Sequence, residues 1–269
     1  MIVIVLIALI AVYLFVLIRP AARQPKDARL LCDYAHRGLH DGNAPENSLA
    51  AFEAACRAGV GIELDVQLSR DGEVMVFHDY TLTRMTGLER RLSELDAAEL
   101  ESLRLHGTEE TIPRFSQVLE RVGGRVPLLV ELKGENTDAS LCPKVAELLA
   151  NYGGAYCIES FNPMLLARMK KLLPGTFRGL LYTNVCREKK PSPLNALLTA
   201  MALNGLARPD FIAYDQKDRR SLPVRICTKL YRAPSFVWTI RTTADREEAR
   251  RLGEHSIFEG EAAKFAVRD

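Results

Sequence analysis

The strongest pattern in the chain lies at its start. Residues 1–18 are apolar without a break, and the run stops at Arg19 and Pro20. As a helix it would extend about 27 Å at 1.5 Å per residue, close to the hydrocarbon thickness of a bilayer. No Lys or Arg precedes it, as a secretory signal would require, and Pro20-Ala21-Ala22 makes a poor cleavage site. Nor has it the polar face of a helix that lies on a folded domain. The pattern predicts an uncleaved transmembrane anchor over 1–19 and a polar linker over 20–30. Arg19, Arg23, Lys26 and Arg29 all flank its C-terminal side. That asymmetry predicts a single-pass protein of the cell membrane with residues 31–269 on the cytoplasmic side.

Beyond the linker the pattern changes to short apolar runs separated by helical periodicity. Strand-like runs fall at 31–35, 61–68, 74–77, 126–132, 155–159, 177–182, 211–214 and 236–240, with one more short run at 256–258. Helical spacing falls near 48–58, 97–103, 115–122, 141–151, 163–173, 194–204, 222–231 and 244–252. Ser48 is a cap for the first helix and Gly59 its stop. Strands alternating with helices pair in parallel through right-handed crossovers. The number of runs suits an α/β protein with a closed (β/α)8 barrel over 31–269. The rival is an open doubly wound sheet, whose dinucleotide form needs a G-x-G-x-x-G after the first strand; none is present.

Composition narrows the function classes. Lys and Arg number 36 against 34 Asp and Glu, which excludes an overall basic nucleic-acid binder. The six cysteines are scattered with no C-x-x-C pair, so a thiolate zinc site is not expected. Several, such as Cys157, sit inside apolar runs and read as buried free thiols of a reducing compartment.

Candidate chemistry gathers where strands end, which is the active face of such a barrel. His36-Arg37-Gly38 follows the first run, and Glu63-Leu64-Asp65 is read as ending the second. His78-Asp79 follows the third, and Glu131-Leu132-Lys133 ends the fourth. Residues i and i+2 of a strand share a face. Glu63 and Asp65 therefore aim two carboxylates at one point, with Leu64 turned the other way, and Glu131 and Lys133 likewise share a side. Converging carboxylates repel unless a cation or proton joins them. An all-oxygen cluster suits one hard divalent cation, Ca2+ or Mg2+, better than zinc. Arg37 and Lys133 would then meet an anionic, oxygen-rich substrate, most simply a phosphate. Each signal alone has an ordinary reading as a solvated strand end or surface ion pair. Their joint occurrence at four strand ends favours function.

These motifs, in this order, resemble the glycerophosphodiester phosphodiesterase family. The resemblance runs through Ala35-His36-Arg37-Gly38, Ala44-Pro45-Glu46-Asn47-Ser48, Glu63-Leu64-Asp65-Val66, Phe77-His78-Asp79 with Leu82 and Arg84, Ile112-Pro113 and Glu131-Leu132-Lys133. It continues through Glu159-Ser160-Phe161-Asn162 and Val237-Trp238-Thr239. It implies a (β/α)8 barrel with a short insertion after the second strand, here residues 81–113. It implies a divalent metal held by Glu63, Asp65 and Glu131, an acid–base pair at His36 and His78, and phosphate contacts from Arg37 and Lys133. Glu46 is read as a loop-ordering residue behind them, and Phe161 and Trp238 as a candidate wall near the glycerol site. The implied reaction is hydrolysis of a small glycerophosphodiester to glycerol 3-phosphate and an alcohol. Water or the substrate's own glycerol hydroxyl would attack, with His36 as base and His78 as acid, an order that the sequence does not fix. Two alternatives are a phospholipase acting on intact membrane lipids and a non-catalytic membrane-anchored barrel. The chain departs from the family late: Arg241 stands where Asn is common, and 257–261 read Ile-Phe-Glu-Gly-Glu in place of a Thr-Asp-x-Pro type motif.

Overall fold

A computed structural model describes residues 1–134, 138–190 and 192–266. Among the described residues nine strands form one sheet: β1 Tyr34–Ala35, β2 Gly61–Leu68, β3 Val74–Val76, β4 Leu128–Leu132, β5 Tyr156–Ser160, β6 Arg178–Tyr182, β7 Phe211–Asp215, β8 Ser235–Ile240 and β9 His255–Phe258. All but β3 run parallel, and β1 pairs with both β2 and β9, so the sheet closes as an eight-stranded barrel. The predicted architecture is therefore present, with a change in which runs build it. The 74–77 run contributes β3, which lies antiparallel against β2. Only residues 69–73 separate the two, too few for the dozen or more that a parallel crossover needs. The short run at 256–258 takes the vacant place and closes the ring through β1.

Strand alternation sorts the side chains. Ile62, Leu64 and Val66 of β2, Leu128, Val130 and Leu132 of β4 and Ile158 of β5 are buried in one large cluster that includes Phe52, Phe115 and Leu165 from the surrounding helices. The opposite faces point into the barrel, where Tyr34, Leu129, Cys157, Phe211, Phe236 and Ile257 form a second cluster. At Gly179 in β6 a Cβ would lie 1.9 Å from the Phe211 ring, so no larger residue fits that layer. Above these apolar layers the inward positions become Glu63, Asp65, Glu131 and Glu159. Asp65 sits opposite Glu131, and Glu131 opposite Glu159.

The insertion predicted over 81–113 follows β3 and carries the short helices Thr83–Thr86 and Ala97–Glu101. It holds itself together through a third apolar cluster of Met75, Phe77, Leu82, Leu92, Leu100 and Ile112. The predicted helix near 194–204 is instead two, Pro193–Thr199 and Asn204–Ala207, broken where Met201 takes a positive φ of 50°.

The N-terminal expectation needs correction. Residues Ile2–Val12 form an α-helix and Tyr13–Leu17 a π-helical turn. Among the described residues no helix is long and apolar enough to cross a membrane. The transmembrane anchor predicted over 1–19 is thus not found, because its second half belongs to the barrel domain. Ile18 is fully buried in the main core. Tyr13 Oη donates to Ala200 O at 3.0 Å, Tyr231 Oη to Leu14 O at 2.6 Å, and Asn204 Nδ2 to Ile18 O at 2.9 Å. The linker is also attached, since Arg23 pairs with Asp210 at 2.7 Å.

Candidate active site

The helix Leu49–Ala58 begins where Ser48 Oγ accepts from Ala51 N at 3.1 Å, as the capping pattern predicts. That cap fixes the preceding loop, which Asn47 N joins to Arg37 O at 2.9 Å. Arg37 itself adopts φ 56°, an αL conformation costly for a side chain of this size. The bend turns its backbone N–H onto Glu63 Oε2 at 2.9 Å.

Glu63, Asp65 and Glu131 lie where the i, i+2 rule places them. Their ligand oxygens come within 4.8 Å of one another, and all three residues are buried. Burial and the neighbouring carboxylates push the Glu63 carboxyl well up. Burial also raises Glu131. Asp65 is driven the other way: burial would raise it, but Lys133, His78 and Arg37 together hold it low. Asn47 Nδ2 adds a bond to Asp65 Oδ2 at 2.9 Å. Lys133 Nζ stands 3.2 Å from Asp65 Oδ1 and 3.0 Å from Glu131 Oε1. Burial alone would lower this ammonium, but the two carboxylates outweigh it and keep it charged. Crowded acidic oxygens that disfavour joint ionisation fit a hard dication, which would remove the repulsion.

His36 follows β1, and its Nδ1 lies 2.5 Å from Glu259 Oε2. Burial depresses the imidazole, while the Glu259 bond works to raise it. Glu259 directly follows β9, and Arg241 Nε donates to its Oε1 at 2.7 Å. The two late departures from the family pattern are thus one ion pair behind His36. His78 reaches the site differently from the prediction. It does not cap a barrel strand but follows β3, which returns from the end of β2, with Phe77 N bonded to Asp65 O at 3.0 Å. Burial depresses this imidazole too, against the Asp65 charge. The same aspartate acts on His36, so both histidines face one carboxylate.

Glu46, read from the sequence as a loop-ordering residue, lies between two arginines. It accepts from Arg37 Nη1 at 2.8 Å and from Arg84 Nη2 at 2.6 Å. Arg84 Nε donates to Asp79 Oδ2 at 2.6 Å, and Asp79 Oδ1 contacts His78 Nδ1 at 2.6 Å. A chain of charge-assisted bonds therefore joins Arg37 to His78. Arg37 Nε has no hydrogen-bond partner and lies 3.5 Å from Asp65. Phe161 and Trp238 meet edge-on at 5.6 Å, and both line one cavity with Glu131 and Lys133. Glu159 and Glu259 appear in the sequence motifs but were not assigned to the site. Glu259 was visible as a strand-end carboxylate. Glu159 was visible by the i, i+2 rule from Cys157; it is buried and pushed well up by burial, and its Oε2 has no hydrogen-bond partner.

Comparison with known proteins agrees with this geometry. Residues 36–260 match the profile of the glycerophosphoryl diester phosphodiesterase family. A glycerophosphodiester phosphodiesterase of Caldanaerobacter subterraneus is 36% identical over 242 residues, covering 83% of this chain and 91% of that protein. A human lysophospholipase D is 36% identical over 132 residues, covering 44% of this chain and 40% of that protein. Among solved structures, an Oleispira antarctica phosphodiesterase in complex with the product sn-glycerol-3-phosphate superposes with a TM-score of 0.71 at 25% identity, covering 88% of this chain and 96% of that one.

Proposed function

The chain belongs to the glycerophosphoryl diester phosphodiesterase family, and we propose that it hydrolyses glycerophosphodiesters to glycerol 3-phosphate and an alcohol with a divalent cation at Glu63, Asp65 and Glu131. The observation that carries this reading is the convergence of two histidines, two phosphate-competent cations and three buried carboxylates on one barrel mouth.

Arg37 and Lys133 orient the phosphate. Arg37, whose side chain is only partly buried, and Lys133, a buried ammonium beside the carboxylates, supply positive charge to non-bridging oxygens whose charge grows in the transition state. A cation held by the carboxylates would polarise a phosphate oxygen and acidify the attacking hydroxyl. His36, kept neutral by burial, takes the proton of the nucleophile at Nε2 while Glu259 holds Nδ1. Oxygen bonds to phosphorus, the P–O bond to the alcohol breaks, and His78 delivers a proton to the departing oxygen. His78 must be protonated for this. The anionic phosphodiester supplies the needed charge on binding, adding to Asp79 and Asp65. Sign and geometry thus favour His36 as base and His78 as acid. The assembled polar residues speak against a non-catalytic barrel.

A hydrolysis panel tests the reading: glycerophosphocholine, glycerophosphoethanolamine and glycerophosphoglycerol with Ca2+, with Mg2+ and in excess chelator. Release of glycerol 3-phosphate only when metal is present is expected. Full turnover in chelator would remove the metal from the mechanism, and no turnover on any member would overturn the substrate class. Residence on the cytoplasmic side is a separate proposal. It is supported by six free cysteines, three of them buried, and is tested by thiol labelling of intact and lysed cells.

A further inference from the structure

The acidic residues are unevenly spread along the chain. There are 34 of them, yet residues 1–26, 189–209 and 221–235 contain none. These three segments meet in the fold. Tyr13 Oη donates to Ala200 O, Asn204 Nδ2 to Ile18 O and Tyr231 Oη to Leu14 O. A Cβ at Gly205 would lie 2.3 Å from Val16 O, so the two backbones touch. The helix Ile2–Val12 therefore rises from a collar formed by the connections from β6 to β7 and from β7 to β8.

The collar exposes charges of one sign. Lys189, Lys190, Arg225, Lys229 and Arg232 stand exposed, and among the described residues none of them pairs with a carboxylate. Cations just outside the collar do pair, Arg187 with Asp218 and Arg219 with Glu248. Like charges gathered without partners repel one another, and an anionic surface relieves that repulsion. Large apolar side chains share the same segments: Leu194, Leu206, Leu222 and Leu230 are 57%, 54%, 66% and 60% exposed. The helix itself has no polar side chain and no buried residue. A protein partner would cover one side of it, whereas a helix apolar all round calls for a medium that surrounds it. Its 11 residues extend about 16 Å, near half the hydrocarbon thickness of a bilayer.

We propose that the collar is a docking surface for an anionic lipid bilayer. The bilayer lies against the outer wall of the barrel at 189–209 and 221–235. Its headgroups meet the lysines and arginines, and its acyl region receives the exposed leucines and the helix Ile2–Val12. Apolar burial and attraction to anionic lipid act together in this mode of attachment. It differs from a transmembrane anchor in two ways. The helix enters the facing leaflet without crossing to the other, and the folded domain supplies the charges, so lipid composition governs the binding. None of these residues belongs to the carboxylate and histidine cluster, so docking and hydrolysis are separable.

The test is flotation of the full-length, metal-loaded protein with vesicles of phosphatidylcholine alone and of an equimolar mixture with phosphatidylglycerol. Each Lys or Arg near an anionic surface strengthens binding roughly fivefold. The anionic vesicles should therefore be preferred at least about 100-fold at low salt, and the preference should collapse at high salt. Arg225→Gln, Lys229→Gln and Arg232→Gln combined should lower partition onto the anionic vesicles about 100-fold. Partition onto the neutral vesicles should not change, nor should hydrolysis of a soluble, chain-free diester such as glycerophosphocholine. Far-UV circular dichroism reports whether the variant is folded. Equal partition of the wild type onto both vesicles, or a preference that salt does not weaken, overturns the proposal without recourse to any variant. An unchanged preference in the folded triple variant overturns it as well. So does self-association through the helix with flotation on neither vesicle. Each of these outcomes leaves the phosphodiesterase reading standing.

Discussion

Replacing Glu259 by Gln tests whether the ion pair behind His36 takes part in the reaction. The Nδ1 to Oε2 contact is 2.5 Å, and Gln keeps the length and an acceptor while deleting the charge. A hydrogen bond to a charged group contributes about 1.5–3 kcal/mol. That bond and charge favour the protonated ring, so losing the charge should lower the imidazole further. The sign follows from the role. A base works when neutral, so its protonation sets the acid limb of the pH profile, and a lower pKa moves that limb to lower pH. The rate at the plateau should fall too, because the ring is less firmly oriented, though by less than the roughly 10²–10⁴ expected for deleting the base. Glu259→Asp should recover part of the wild-type profile. The assay is kcat/KM against pH on a chain-free diester with saturating metal. An acid limb at the wild-type pH together with a plateau within about twofold would refute the role assigned to Glu259, and with it the assignment of His36 as base.

The remaining predictions concern the ligands, the histidines, the barrel interior and pH. Asp65→Asn should weaken divalent-cation binding measured calorimetrically, since Asp65 lies opposite Glu131 and within 4.8 Å reach of both partner carboxylates; wild-type affinity would exclude it as a ligand. His36→Ala and His78→Ala should each lower kcat by about 10²–10⁴ with metal binding retained, and near-normal turnover in either removes that residue from the mechanism. Gly179→Ala forces a Cβ to 1.9 Å from the Phe211 ring, and overpacking of this kind costs about 1–3 kcal/mol, read as a lower urea midpoint. Burial depresses His255 against the opposing Asp33 charge, so the unfolded chain binds this proton first as pH falls. The contribution is intact above about pH 6.5 and is lost below it, which urea midpoints on the two sides of that value should show, with the loss reduced in His255→Asn.

What the sequence made legible follows from short-range rules. The i, i+2 alternation placed Glu63 and Asp65 inside the barrel and Leu64 outside, because strand geometry is fixed by the backbone and needs no knowledge of neighbours. The Ser48 cap and the Gly59 stop were equally local; Gly59 indeed takes φ 67°. What failed was long-range. The short 69–73 connection made β3 a hairpin partner, so His78 enters beside Asp65 by returning along β2, whereas periodicity alone put it at a barrel strand end. The pairing of Arg241 with Glu259 and of Glu259 with His36 joins residues far apart in the chain, and neither side chain announces its partner. Residues 1–18 misled for a similar reason. Hydropathy identifies an apolar run but not what covers it, and here Tyr13, Leu14 and Ile18 are held by Ala200, Tyr231 and Asn204.

The electrostatics of the site explain why its parts must act together. Asp65 touches or influences every charged candidate: it lies 3.2 Å from Lys133, 3.5 Å from Arg37 and bears on both imidazoles. Glu46, Arg84 and Asp79 close a second path from Arg37 to His78 outside the barrel mouth. A charge placed at the carboxylates is therefore felt by His36, His78, Arg37 and Lys133 alike. Removing one member should leave its partners buried and unpaired, which costs more than the lost contact itself. Single substitutions should accordingly be strongly non-additive. Arg84→Ala combined with Glu46→Ala should cost scarcely more activity than either alone, because both break the same chain between Arg37 and His78. Additive losses in that double-mutant cycle would mean that Glu46 and Arg84 serve the two ends separately, and that the bonded path carries no coupling.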